Sequence, residues 1–403
     1  MQRRSARLPF LFSVMFFYHI AAYMVHPVTP SLIQALGLGD YMFGVMFAAM
    51  SICSFLFSPF WGKINNYISS RTSLFLCCMG YAVGQVFFRF ARAEWQFIAA
   101  RLFAGVFCGG SLVCFLTYIV NVSEPEKRGR NLAINATMLT VAGAFGYFIG
   151  GMLGEIDIYL PVDGQIALLV LTGVAFRFGL ADDRPAKTAV PPARELAAEC
   201  NPFALFAHAG QLLSPQLIVL FLCCTFACLG CTAFDQSFNY YIRDQFGLSS
   251  KYNGSIKAIL GVISLVSNST ICIWILRKNQ TPKYLVRIFA VCAAAMLGVV
   301  LLTDFVPFVL VNVLFFIFYY ISQPLTQTLV ASLSGETNSN TVMGLYNAVS
   351  SLGNILGALI SGFIYGISPR LPFIFGFAAF AVSTLLAVVF YRRSRSAVYP
   401  RQT

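Results

Sequence analysis

The stretch QLIVLFLCCTFACLGCTAFDQSFNYYI, residues 216–242, decides what solvent surrounds this chain. Read as a helix rising about 1.5 Å per residue, it is long enough to cross a hydrocarbon layer of roughly 30 Å. It carries one formal charge, Asp235. The whole chain has the same character: 58% of its 403 residues are hydrophobic and 10% are charged. An average soluble domain has roughly 45–50% and 25%, so this chain cannot clothe a soluble core in charge. Apolar runs of helix-spanning length recur over 9–36, 41–61, 72–92, 95–120, 131–154, 164–180, 216–242, 252–276, 284–304, 306–333, 341–366 and 370–391. The expected fold is an all-α membrane protein with twelve transmembrane helices. The sixth span is short and is closed abruptly by RFGLADDR (177–184). The first is too long for a cleavable signal peptide, and it carries His19, His26 and Pro27 in place of a simple apolar core.

The formal net charge of +12 invites a nucleic-acid reading, but its distribution opposes one. Of the 27 Lys and Arg residues, 20 lie on the side that carries both termini when loops are numbered alternately. Among them are Arg3, Arg4, Lys63, Arg71, Lys127, Arg128, Arg130 and Arg392. An excess of basic residues marks the cytoplasmic side, so both termini are expected there, in a multi-pass protein of the plasma membrane of a bacterial type. The basic pI is thus a topology signal, with some affinity for anionic lipid heads. The CxxC of CCTFACLGC (Cys223, Cys224, Cys228, Cys231) lies inside a spanning segment, with no ligand at zinc-like spacing. Packing by small polarizable side chains is the better reading.

Residues 182–215 form the longest polar interruption. Pro185, Pro191 and Pro192 break any continuing helix there, and 193–213 has the pattern of a short amphipathic helix on the membrane surface. The interruption divides the chain into an N-terminal six-helix bundle (1–181) and a C-terminal one (216–403). The two halves look related. Gly37, Leu38 and Gly44 align with Gly247, Leu248 and Gly254 at an offset of 210. Gly146 and Gly150 align with Gly353 and Gly357 at an offset of 207. Both halves start on the same side, so they are parallel repeats about an axis along the membrane normal.

At this point the chain resembles the major facilitator superfamily over its full length. GKINNYISSRTSLF (62–75) is a degraded form of the family's loop signature G-x-x-x-D-R-x-G-R-R/K. It keeps Gly62 and a basic residue in Arg71, but lacks the loop Asp. EPEKRGRNLA (124–133), with Arg128, is similar to the equivalent loop between helices 4 and 5. RLFAGVFCGG (101–110) sets Arg101, Gly105 and Gly109 in the family's Arg-x-x-x-Gly-x-x-x-Gly pattern, whose arginine the resemblance links to proton handling. GYFIGGMLG (146–154) is similar to the antiporter motif through Gly146, Gly150 and Gly154, although Gly151 replaces its proline. G-x-x-x-G is also a common helix-packing device. These glycines, with Gly62, Arg71 and Arg128, are the candidate gating and packing residues.

Of the 15 acidic residues, only Asp235 lies well inside a span. An ionisable group at that depth marks a pathway or a proton site, or ties its helix to a neighbour such as Arg89, Arg101 or Lys257. Thr225, Cys228, Thr232, Asp235, Gln236 and Asn239 form one polar stripe on helix 7. Helix 1 supplies His19, Tyr23 and His26, and His is the side chain that titrates most readily near neutral pH. Asp235, Arg101, His19 and His26 are the candidate proton-coupling residues. Tyr23, His26, Gln236, Asn239, Tyr240, Lys257, Tyr319, Tyr320, Gln323, Gln327 and Asn347 are the candidate substrate contacts.

Nothing in the sequence suggests an enzyme. It contains no nucleophile motif, Walker loop or metal cluster, so no cofactor is expected and the energy must come from a gradient. The expectation is a secondary active transporter, a monomer with protons and a small molecule as its partners, exporting amphipathic or drug-like compounds by alternating access. Alternatives are a symporter for a small polar or anionic nutrient, a flippase for lipids or lipid-linked glycans, and a transporter-like receptor.

Overall fold

The computed structural model describes residues 8–183, 201, 213–278, 280–333 and 335–398. They form twelve helices long and apolar enough to cross a membrane. In chain order these are α1 (Leu8–Ala35), α2 (Met42–Ile64), α3 (Ser70–Phe90), α4 (Glu94–Val122), α5 (Arg128–Ile156) and α6 (Leu160–Gly179). They continue with α7 (Pro215–Asp244), α8 (Ser250–Arg277), α9 (Thr281–Leu301), α10 (Phe305–Leu333), α11 (Gly335–Tyr365) and α12 (Leu371–Val398). The amphipathic helix expected over 193–213 lies outside the described residues.

Most helix ends fall where the hydropathy puts them, and three local features add detail. The α6 helix starts at Leu160, earlier than hydropathy alone suggests, with Pro161 and Asp163 in its first turn. A first-turn proline gives up no hydrogen bond and a first-turn carboxylate suits the helix dipole, so polar residues can still begin a helix. In α1, a 3-10 turn over His26–Val28 separates Leu8–Met24 from Thr29–Ala35. Pro27 and Pro30 cannot donate to the ladder. Here the Val25 carbonyl accepts from the Val28 and Thr29 amides and from the Thr29 hydroxyl. In α8, residues Asn268–Cys272 widen into a π-turn.

The chain resolves into two compact units. The first comprises Met1–Met42, Ala49–Pro202 and Ile242–Gly261. In it α1 packs on α5 and α6, and α3 packs on α4 and α6. Leu11, Met15, Tyr18, Tyr81, Phe115, Tyr118 and Phe176 fill the space between them. The second comprises Phe43–Ala48, Phe203–Tyr241 and Val262–Thr403. There α9 packs on α10 and α12, around an aromatic core that includes Phe234, Phe315 and Phe380. The units therefore differ from the halves 1–181 and 216–403 by the start of α2 and by the residues from the end of α7 to Gly261.

Glycines carry the internal repeat into three dimensions. Gly37 and Gly247 both adopt a left-handed backbone, with φ of +62° and +63°, where a side chain would be strained. A Cβ at Gly146 would stand 2.5 Å from the Ile20 carbonyl oxygen, and one at Gly150 would run into that of Met24. In the second unit, a Cβ at Gly353 would stand 2.6 Å from the Thr225 oxygen, and one at Gly357 would run into that of Leu229. Helix α5 thus meets α1 as α11 meets α7, backbone to backbone. A third matched contact sets Gly254 against Tyr147 and Gly151, and Gly44 against Ala358 and Gly362. These coincidences establish the repeat read from the spacing.

Alanine at Gly150 or Gly357 must push its helix off its neighbour. Thermal unfolding in detergent should show each substitution destabilising the protein by about 1–3 kcal/mol, the usual cost of overpacking. Gly62→Ala is the control, because a Cβ there meets only Val113, at 3.8 Å, and should change stability by less than about 0.5 kcal/mol.

Candidate functional site

The break in α1 sets the first cluster. It carries His26 on the 3-10 turn, where the ring lies 5.6 Å from Tyr23 and stacks at 5.6 Å on Tyr147 of α5. Tyr23 and Tyr147 are themselves 5.8 Å apart, so the three rings form a half-buried aromatic group. Tyr147 reaches it because Gly146 and Gly150, on either side in sequence, bring α5 onto α1. Lys257 of α8 lies in the same unit, with Nζ 6.0 Å from the centre of the Tyr147 ring. Arg101 and Lys257 are both within electrostatic range of His26.

Arg101 sits on α4 and is only 6% exposed. Its guanidinium lies over the Phe88 ring at 4.2 Å, and Nη1 is 3.7 Å from the Met50 sulfur. Gly105 and Gly109 hold α4 close enough to α2 to make the Met50 contact, since a Cβ on either would meet the backbone of Met50 or Ser54. His19, on the same helix as His26, goes elsewhere. It is buried against Tyr18 and Phe115 in the core of the unit.

In the second unit, Asp235 stands out by exposure. Every other residue from Gly230 to Ile242 is buried, and Asp235 alone is half-exposed. Gln236 and Asn239 beside it are buried, at 8% and 5% exposure. The Thr232 hydroxyl donates to Asn354 Oδ1 at 2.8 Å, tying α7 to α11. On α10, Tyr319 is buried, stacks on Phe315 and approaches the Cys228 sulfur, while Tyr320 is half-buried against Phe316. The Tyr346 hydroxyl donates to Gln323 Oε1 at 3.4 Å, and Gln327 and Asn347 are exposed. Tyr240 is packed among Phe43 and Tyr365. The Cys223 thiol lies against Ser383, in keeping with a packing role.

The loop residues gather differently. Arg71 pairs with Asp182 at 3.3 Å. Next to it Asp183 is buried, accepting from the Ser70 amide at 2.8 Å, the Ser70 hydroxyl at 2.6 Å and Asn121 Nδ2 at 3.0 Å. A carboxylate from beyond α6 therefore caps the start of α3. Gly62 has room around it and Arg128 is exposed. Gly154 is packed against Val28, which extends the contact of α5 with α1.

Tyr147, Phe88, Met50 and Asp183 escape a reading by polarity. The first three look like ordinary lipid-span residues, and Asp183 looks like a helix terminator. The signal for Tyr147 was its place between two interface glycines. No group of three or more His, Cys, Asp or Glu suited to a metal ion occurs among the described residues.

Comparison with known proteins adds the family context. The sequence profile of the Major Facilitator Superfamily matches residues 11–353 and 317–401. Multidrug resistance protein 1 of Bacillus subtilis (strain 168) is 20% identical, covering 96% of this chain and 97% of that protein. Quinolone resistance protein NorA of Staphylococcus aureus (strain COL) is 21% identical, covering 87% of each. Among solved structures, a bacterial homologue of the human lysosomal transporter Spinster superposes with a TM-score of 0.74 at 14% identity. It covers 98% of this chain and 97% of its own.

Asp183→Ala leaves two donors of Ser70 and one of Asn121 without an acceptor. Chemical or thermal unfolding should register a loss of about 1–3 kcal/mol. Asp182→Ala breaks only a partly exposed pair, with 27% and 30% of the two side chains accessible, and should cost less than about 1 kcal/mol. Equal effects would show that Asp183 does not hold α3.

Proposed function

The chain belongs to the major facilitator superfamily, and from that premise we propose that it exports amphipathic, drug-like small molecules in exchange for protons. It is a multi-pass membrane transporter of small molecules, not an enzyme, and members of the family need no cofactor. Export of drug-like compounds is supported by relatives whose names record resistance to several drugs and to quinolones.

The observation that carries the coupling is the setting of Asp235. A carboxylate inside an apolar helix is costly unless it has a function or a partner. This one is the single half-exposed residue in a buried stretch of α7. Such a group exchanges protons with whichever side its cavity opens to. In the proposed cycle Asp235 is protonated from outside when substrate is released there. It gives the proton up on the cytoplasmic side, where the next substrate enters. The two six-helix bundles alternate access, as parallel repeats do. The protein works as a monomer in the plasma membrane with both termini in the cytoplasm, the side that the excess of Lys and Arg indicates. Gln236 and Asn239, buried beside Asp235, orient the substrate's polar groups.

The test is transport in proteoliposomes with an imposed pH gradient and a trapped pH dye. Wild type should move protons against substrate. Asp235→Asn should lose gradient-driven transport by roughly tenfold or more while keeping exchange of substrate for substrate, which needs no net proton movement. Gradient-driven transport that survives in Asp235→Asn removes the coupling assignment, and protons moving with the substrate replace antiport by symport.

A further inference from the structure

Arg101 faces a problem that the transport cycle above leaves unsolved. A guanidinium keeps its charge and carries five N–H donors. Burying it is costly unless an acceptor is supplied. Arg101 is 94% buried by area, as its 6% exposure shows, and its neighbours are the face of Phe88 and the sulfur of Met50. A ring face offers only its quadrupole and a thioether is a weak acceptor. Among the described residues no carboxylate lies within ion-pair distance of Arg101. In this unit Asp182, Asp163 and Glu124 are engaged with Arg71, Arg89 and Lys127.

A second observation points the same way. The half-buried rings of Tyr23, His26 and Tyr147 stand together in the same unit, and His26 is within electrostatic range of Arg101. Lys257, beside Tyr147, adds a further positive charge at this group. The unit thus combines a half-buried aromatic group with a buried cation whose protein contacts do not match its donors.

We propose that Arg101 binds the anionic group of the substrate, a carboxylate or sulfonate, while the substrate's aromatic body stacks on the Tyr23, His26 and Tyr147 rings. Its setting rests on the transport reading, which it deepens by naming the ligand class as an amphipathic organic anion. A planar guanidinium matches the two oxygens of such a group with two parallel N–H donors. The aromatic rings supply apolar area and offset stacking. A cationic analogue would meet like charge at Arg101, so the expected order of affinity is anion, then neutral isostere, then cation.

The experiment measures binding to the purified full-length protein in detergent by calorimetry, using 2-naphthoate, its methyl ester and 2-naphthylmethylammonium. Wild type should bind the acid roughly tenfold or more tightly than the ester, and the ammonium most weakly. Arg101→Gln should bring the acid to the affinity of the ester while leaving the ester unchanged, and Arg101→Lys should keep an intermediate preference. The proposal is overturned if wild type treats acid and ester alike, prefers the ammonium, or fails to bind the acid at about 1 mM. It is also overturned if Arg101→Gln weakens acid and ester equally, because a residue that only supports the fold would do that. The wild-type preference needs no variant, so misfolding of Arg101→Gln leaves the test intact. The same three compounds in proteoliposomes separate this proposal from the transport reading. An acid bound through Arg101 but never carried across overturns transport of this ligand class and leaves the site. An ammonium carried across while the acid does not bind overturns the site and leaves transport.

Discussion

Among the described glycines the tightest constraint is the meeting of Gly150 with the carbonyl of Met24, where only a hydrogen atom fits between two helices. Lipid tails are as apolar as the side chains they touch, so helices in a bilayer gain little by hiding leucines from them. Close backbone approach and the dispersion contacts it allows take over that role. Gly146 and Gly150 seat α5 on α1, and Gly353 and Gly357 seat α11 on α7 by the same contacts. The aromatic group follows from this. Tyr147 lies between the two glycines of α5, and seating that helix brings its ring onto Tyr23 and His26.

Against that tight frame the two units hold their ionisable groups in different ways. In the first, Arg101 is buried with its guanidinium over the Phe88 ring and Nη1 near the Met50 sulfur. In the second, Asp235 is half-exposed in a stretch of α7 whose adjacent residues are all buried. Other polar groups have partners within the protein. Gln165 donates to the Tyr81 hydroxyl at 2.9 Å, and Thr232 donates to Asn354.

Much of the fold was legible because a bilayer leaves few options. A spanning segment must satisfy its backbone internally, so runs such as 216–242 had to be helices. The repeat was legible from glycine spacing, since only glycine tolerates both the left-handed turn at Gly37 and Gly247 and the backbone contacts at Gly150 and Gly357. The site was less legible. His19 and His26 look equivalent on a helical wheel, yet the break at Pro27 gives His26 to the aromatic group and leaves His19 in the core. Tyr240 reads as a substrate contact, but aromatic neighbours from α2 and α11 enclose it. Asp183 reads as a helix stop and is the cap of a helix more than a hundred residues earlier in the chain.

By itself the amino-acid sequence determined the solvent, the number and placement of the spanning helices, the repeat, and the choice of Asp235 and Arg101 as the polar residues that need explaining. Those properties depend on composition and local spacing, which a chain carries before it folds. Tertiary structure alone decided that Arg101 lies among a ring and a sulfur and that Asp235 is the exposed residue of its stretch. It alone decided that Tyr147 joins Tyr23 and His26. Each of these depends on which helix face meets which, and contacts between distant segments set that where local pattern cannot.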